Sequence, residues 1–227
     1  MAEQKRILLE NEFYPNGLSD ELIQKHYKKH QKNILLEIQH RNIALIICPK
    51  TNDFVWLRNI KNKTIQIKNR RDYNNILHDR VLSIFPEVNT FEKKFVIDID
   101  CTNIENAKKT VSHLYNIFKE SEYVNDVKIF FTGQTSFHLH VFLPNKTNID
   151  RCKDLAYGII RQDPIAPKMM TINQNRKKDE FPNIDFSTLH NKGVYICPYA
   201  ISKKGLIAGE VKFDEINKFN IRNFILK

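Results

Sequence analysis

No cysteine pair in this chain has metal-knuckle spacing. The four cysteines, Cys48, Cys101, Cys152 and Cys197, are spread at intervals of about fifty residues, which excludes a zinc ribbon and argues against a disulfide framework. A reducing, cytoplasmic setting is the expectation that follows. No apolar run approaches the roughly eighteen residues needed to cross a bilayer, and Met1-Ala2-Glu3-Gln4-Lys5-Arg6 lacks the charged-then-apolar order of a secretory signal. Repeats, low-complexity tracts and flexible linkers are missing too, so 227 residues suffice for one large domain or two small ones with a real core. Negative charge is the minority: 36 Lys and Arg face 26 Asp and Glu, a formal +10. That balance favours a polyanionic partner, of which nucleic acid is the commonest.

What is present reads as mixed α/β. Ser19 is placed to cap a helix running to about residue 40, with Leu22, Ile23, Tyr27, Ile34, Leu35 and Ile38 as its apolar stripe. Three short strands are expected at Asn42 to Cys48, Phe54 to Asn59 and Thr64 to Ile67. They are separated by Pro49-Lys50-Thr51-Asn52-Asp53 and Lys61-Asn62-Lys63, and Arg71 to Ile84 reads as a helix. These elements make an N-terminal helix-plus-strands subdomain, residues 1–90.

From residue 94 the order becomes strand (94–100), helix (104–121), strand (127–132), strand (137–143), helix (149–162) and a strand near Ile184. This is the split β-α-β-β-α-β unit of ferredoxin-like and RNA-recognition folds, and it defines a second subdomain, residues 91–227. The fold class expected is α/β of the α+β kind, an RNA-recognition-like sheet packed with the N-terminal subdomain as one compact unit. In such a sheet the first strand lies between the third and the fourth.

That topology gathers chemistry. In Phe95-Val96-Ile97-Asp98-Ile99-Asp100 the two carboxylates are two apart and share one face of a strand, while Phe95, Ile97 and Ile99 face a core. His138 and His140, also two apart, would lie beside them on one side and Asp185 on the other. Three converging carboxylates suit Mg²⁺ or Mn²⁺, as two-metal phosphoryl or nucleotidyl transfer requires. Taken alone, Asp98 and Asp100 also suit a solvated outer face, and Asp185 a turn acid after Pro182-Asn183. Thr132-Gly133-Gln134-Thr135-Ser136 offers hydroxyls and close backbone N–H groups to phosphate oxygens, or simply turns a hairpin. Lys192, Lys203 and Lys204 bracket Pro198-Tyr199 and either neutralise phosphates or solvate a loop.

The set Asp98-Ile99-Asp100, Thr132-Gly133-Gln134-Thr135-Ser136-Phe137-His138 and Ile184-Asp185 resembles the D-x-D, S-G-x-x-G-x-H and hydrophobe-D motifs of archaeo-eukaryotic primases. Within that superfamily the chain is most similar to the polymerase domain of bacterial ligase D and related primase-polymerases. Asn42 to Pro49, Asn191-Lys192-Gly193 and Pro198-Tyr199-Ala200 match further stretches. The resemblance implies a DNA-directed DNA or RNA polymerase acting in replication or repair. Its substrates would be a DNA template, a primer strand and ribo- or deoxyribonucleoside triphosphates. It implies that Asp98, Asp100 and Asp185 ligate catalytic Mg²⁺ or Mn²⁺. Thr132, Gly133, Gln134, Thr135, Ser136 and His138 would meet the incoming nucleotide, and Lys192, Lys203 and Lys204 phosphates. There are departures: Thr132 replaces the motif serine, Ser136 its second glycine, and Cys197 an arginine of archaeal small primase subunits, which removes a fixed bidentate phosphate donor.

Two other readings use the same residues. His138-Leu139-His140 is a His-hydrophobe-His triplet, which in rolling-circle nucleases binds one metal while a helical tyrosine, here Tyr157, attacks DNA. That leaves the three acids without a task. A non-catalytic single-strand-binding module would place exposed aromatics on the sheet face where this chain places acids.

Overall fold

The computed structural model describes residues 17–49, 53–77, 80–172 and 182–226. The Met1 to Arg6 opening and most of the turn expected at Pro49 to Asp53 lie outside them. Contacts divide the chain into two units. The first takes the chain to Glu87 together with Ile196–Gly209 and Ile221–Lys227, and the second takes Val88–Tyr195 with Glu210–Asn220.

In the first unit, α1 (Asp20–Lys29) and α2 (Gln31–Ile38) share His30 as C-cap and N-cap, so the single helix expected from Ser19 is two. Ser19 does cap the first, its hydroxyl accepting the Leu22 N–H at 3.2 Å. The break has a local partner: the His30 ring stacks on Tyr199 at 4.8 Å. Strand β1 (Asn42–Ile47) is central, with β5 (Val81–Pro86) along one side. On its other side β2 (Val55–Leu57) pairs with one half and β4 (Lys63–Gln66) with the other, and β3 (Asn59–Ile60) pairs with β4.

The helix expected over Arg71 to Ile84 is a correction. Only α3 (Arg70–Ile76) is helical, and Val81–Pro86 is the strand β5, buried along nearly its whole length. Val81-Leu82-Ser83-Ile84-Phe85 is rich in branched and aromatic residues that fill both faces of a buried strand. The turn into it passes through Arg80 at φ 54°, which a helix does not tolerate. A second difference concerns the chain's end. Division of the sequence at residue 90 assigned everything beyond to the second subdomain, but Ile196–Gly209 and Ile221–Lys227 pack with the first unit. The Cys197 N–H donates to Ile84 O at 2.9 Å and the Ile207 N–H to Phe224 O at 2.8 Å.

The second unit is built on β6 (Phe91–Asp100), α4 (Ile104–Lys119), β7 (Asp126–Phe131), β8 (Phe137–Asn148), α5 (Ile149–Gln162), α6 (Ala166–Met169), β9 (Thr171–Ile172), β10 (Asn183–Asp185) and β11 (Gly209–Val211). Sheet order is β11-β7-β8-β6-β10-β9, so the first strand of the split unit lies between the third and the fourth, as the connectivity predicts. With its helices, the fold is mixed α/β. Asn103 caps α4 and Asn148 caps α5, each side-chain oxygen accepting a first-turn N–H.

Those helices cover one face of the sheet. Phe95, Ile97 and Ile99 point into that core at 2%, 0% and 0% exposure, and the Phe95 ring meets Phe118 of α4 at 6.2 Å. Each such burial is worth about 1.5–3 kcal/mol, which fixes the register of β6 and therefore which of its residues face away. No helix among the described residues is long and apolar enough to cross a membrane.

Candidate metal and nucleotide site

Asp98 and Asp100 lie on the face of β6 turned away from the helices. Ladder pairing sets Asp98 opposite His138 of β8 and opposite Asp185 of β10, and Asp100 opposite Asn183. One carboxylate oxygen from each of Asp98, Asp100 and Asp185 lies within 4.8 Å of the others, and these three form the cation-competent acidic group of the described residues. Like charges so close repel unless a cation lies between them.

Asp185 combines two roles. It caps the 3₁₀ turn Phe186–Thr188, with Oδ1 accepting the Ser187 N–H at 2.7 Å and Oδ2 accepting the Ser187 hydroxyl at 2.8 Å. It is thus both a turn acid and a member of the triad. Thr188 anchors that turn to the sheet by donating its hydroxyl to Val96 O at 2.6 Å. Ser187 is announced only by the Asp-x-Ser spacing, a recognisable side-chain turn.

Asp98 differs from its neighbours in having a buried Oδ1 without a hydrogen-bond partner. His138 Nε2 is 3.4 Å from it, without hydrogen-bond alignment. An orphaned, buried carboxylate oxygen facing two further carboxylates fits a divalent cation, and hard oxygen donors suit Mg²⁺ or Mn²⁺.

The loop before His138 is more closed than a phosphate cradle would be. Thr132 gives its N–H and its hydroxyl to Ser136 O, both at 3.1 Å, and its Oγ1 lies 2.9 Å from Ser136 Oγ. Thr132 and Ser136 are buried, Gln134 is exposed, and Thr135 is intermediate. Gly133 turns the chain at φ 77°. Ser136, where a glycine was expected from the resemblance, therefore has a structural task as the partner of Thr132.

His140 lies 1% exposed, with both ring nitrogens unpartnered. Phe130 stands 4.3 Å away, Tyr195 5.6 Å edge-on and His138 6.2 Å. Burial above all, then the charges of Lys94, His138 and Lys128, pushes its pKa well below the usual histidine value. It is a neutral, desolvated imidazole. Tyr157, on α5, packs edge-on against Phe186 at 4.4 Å beneath the Arg161 guanidinium at 5.2 Å.

Lys192 is held by its backbone, its N–H donating to Val88 O at 3.1 Å with φ 69°. Gly193 beside it is required, since a Cβ there would stand 2.7 Å from Ser187 O. Lys203 and Lys204 lie on a turn of the first unit, where Ser202 Oγ accepts the Lys204 N–H at 3.2 Å. The Pro198-Tyr199 stretch serves that unit's core: Tyr199 O accepts from His26 Nε2 at 2.7 Å, and Cys197 is fully buried.

The fold has a counterpart of known structure. The chain is similar to the polymerase domain of Mycobacterium tuberculosis ligase D, solved in complex with DNA, with a TM-score of 0.77 over 92% of this chain and 86% of that one. Sequence identity is 12%, so the likeness is one of fold. No family model matches the chain, and no curated protein matches it.

Proposed function

We propose that the chain is a template-dependent nucleotidyltransferase of the primase-polymerase type, extending DNA or RNA strands and initiating them on suitable templates. The observation that carries this reading is the convergence of Asp98, Asp100 and Asp185 within 4.8 Å, on strands whose fold matches a polymerase domain. The two units would together make one catalytic domain, since the likeness spans both.

In this reading Asp98, Asp100 and Asp185 hold two Mg²⁺ or Mn²⁺ ions. Bound there, such ions would neutralise charge on the attacking and leaving oxygens of an in-line displacement. Ser187 keeps both oxygens of Asp185 aimed. His138 donates to the triphosphate from beside Asp98, and the segment Thr132 to Ser136 borders the nucleotide. Lys192, Lys203 and Lys204 attract phosphates of the nucleotide or of the template and primer, and the formal +10 supplies the wider field. Cytoplasmic DNA replication or repair is the setting this activity and the wide cysteine spacing favour.

The test is primer extension and de novo synthesis on a DNA template, with Mg²⁺ or Mn²⁺ and with each nucleotide type. Template-directed incorporation is expected, and its absence under all of these conditions would overturn the reading.

A further inference from the structure

The helical side of the second unit carries a feature that polymerase chemistry does not use. Between α4 and α5 runs an open groove of about 620 Å³. Helix α5 has two apolar stripes. Cys152, Ala156 and Ile160 are fully buried against the sheet, as an amphipathic helix requires. Leu155 and Ile159, one turn apart on another flank, are half-buried and line the groove with Ile117 of α4.

Gly158 lies between Leu155 and Ile159 on the groove wall. A Cβ at this position would meet no atom within 4 Å, so this chain's own packing does not require a glycine there. Glycine inside a helix destabilises it relative to alanine. Its use here leaves room for the close approach of something outside the chain.

Charge says what that is. In a protein of formal +10, the groove is lined by the exposed Glu120 and Glu122, by Asp163, whose Oδ1 already meets His113 Nε2 at 2.8 Å and accepts the Ile165 and Ala166 N–H groups, and by no Lys or Arg. Such a surface repels phosphate backbones and anionic lipid and attracts cations. Tyr123, 60% exposed on its rim, adds a ring face suited to an ammonium group.

We propose that this groove docks a lysine-rich amphipathic helix of a partner protein, laid along α4 and α5 over Gly158. Its apolar residues meet Ile117, Leu155 and Ile159 at i, i+3 or i+4 spacing, and its lysines face Glu120 and Glu122.

The probe is a fluorescein-labelled helical peptide with leucines at i, i+4 and i+7 and lysines elsewhere, followed by fluorescence anisotropy against the full chain. A scrambled peptide of equal charge is the control. The helical peptide should bind about tenfold tighter than the scrambled one, and Gly158→Leu should weaken it about tenfold by filling the approach. Because the space beside Gly158 is open, this variant should keep the parent's circular dichroism. Should it not fold, the double variant Glu120→Lys, Glu122→Lys, altered only at exposed side chains, carries the test with the same expected loss. Equal affinity for both peptides, or unchanged affinity in the folded variants, would overturn the proposal. Concentration-dependent self-association in sedimentation that disappears in Gly158→Leu would assign the groove to a second copy of the chain and overturn it likewise.

Discussion

Asp98 stands directly across the β6–β8 ladder from His138, with Oδ1 3.4 Å from Nε2. The pairing is imposed from the opposite face, where Phe95, Ile97 and Ile99 are locked into the core. A slip of one residue would turn the acids inward, and about half a dozen kcal/mol of apolar burial opposes that slip.

Asp100→Ala tests the cation site most directly. Incorporation should fall by about a thousandfold or more, while affinity for primed DNA stays within about threefold, because the substitution removes a ligand and leaves the basic surface intact. Thermal stability should stay level or rise slightly, since one of three mutually repelling carboxylates is gone. Retained synthesis would sink the assignment.

Ser187→Ala probes positioning. Asp185 would lose one hydroxyl donor and keep one backbone donor, so its carboxylate would be less firmly aimed. Calorimetric Mn²⁺ titration should show affinity weakened by about tenfold, as is usual when a group supporting a ligand is deleted, with Ser187→Thr restoring most of it. Unchanged Mn²⁺ binding would make Ser187 a partner of the turn cap only.

Affinity for DNA should drop steeply with salt. If six or so Lys and Arg side chains displace counterions from phosphates, raising salt from about 50 to 200 mM should cost on the order of a thousandfold. A flat salt response would count against a surface that tracks the nucleic-acid backbone.

Acid should destabilise the first unit through His26. Burial first, then the charges of His30 and Lys29, pulls its pKa from 6.5 down to about 4, against the raising effect of its bond to Tyr199 O. Between those values the unfolded chain binds a proton that the folded chain does not, so stability falls as pH drops from about 6.5 towards 4. The shift is worth roughly 3 kcal/mol at full extent. His26→Gln, which keeps a donor for Tyr199 O, should narrow the difference between denaturant unfolding at pH 7 and pH 5. An undiminished difference would assign the acid sensitivity to other groups.

The parts of this molecule legible in the sequence are those set by strand alternation and connectivity. Asp98 and Asp100 stand out because Phe95, Ile97 and Ile99 mark the buried face, and the β-α-β-β-α-β order alone sets them between His138 and Asp185. What stayed hidden depends on partners far along the chain. Val81–Pro86 became a strand because β1 pairs with it, and local spacing after Arg71 suggested a helix. His140 gave no sign of its isolation, which arises from Phe130 and Tyr195. Lys203 and Lys204 are close in sequence to the third acid's motif, yet fold with the first unit.

The histidine pair separates the polymerase from the His-hydrophobe-His nuclease. If His138 serves the triphosphate, His138→Ala should raise the apparent KM for nucleotide, with some loss of kcat if the contact tightens in the transition state, and Mn²⁺ affinity should stay within a few fold of the parent. His140→Leu should act differently. It removes two unpartnered buried nitrogens, so stability should rise by about 1 kcal/mol or more and Mn²⁺ binding should be unchanged. In the nuclease both imidazoles ligate the metal, and either substitution would abolish Mn²⁺ binding and DNA cleavage together. Loss of Mn²⁺ binding in both variants, joined to a covalent DNA adduct on Tyr157, would replace the polymerase reading with the nuclease.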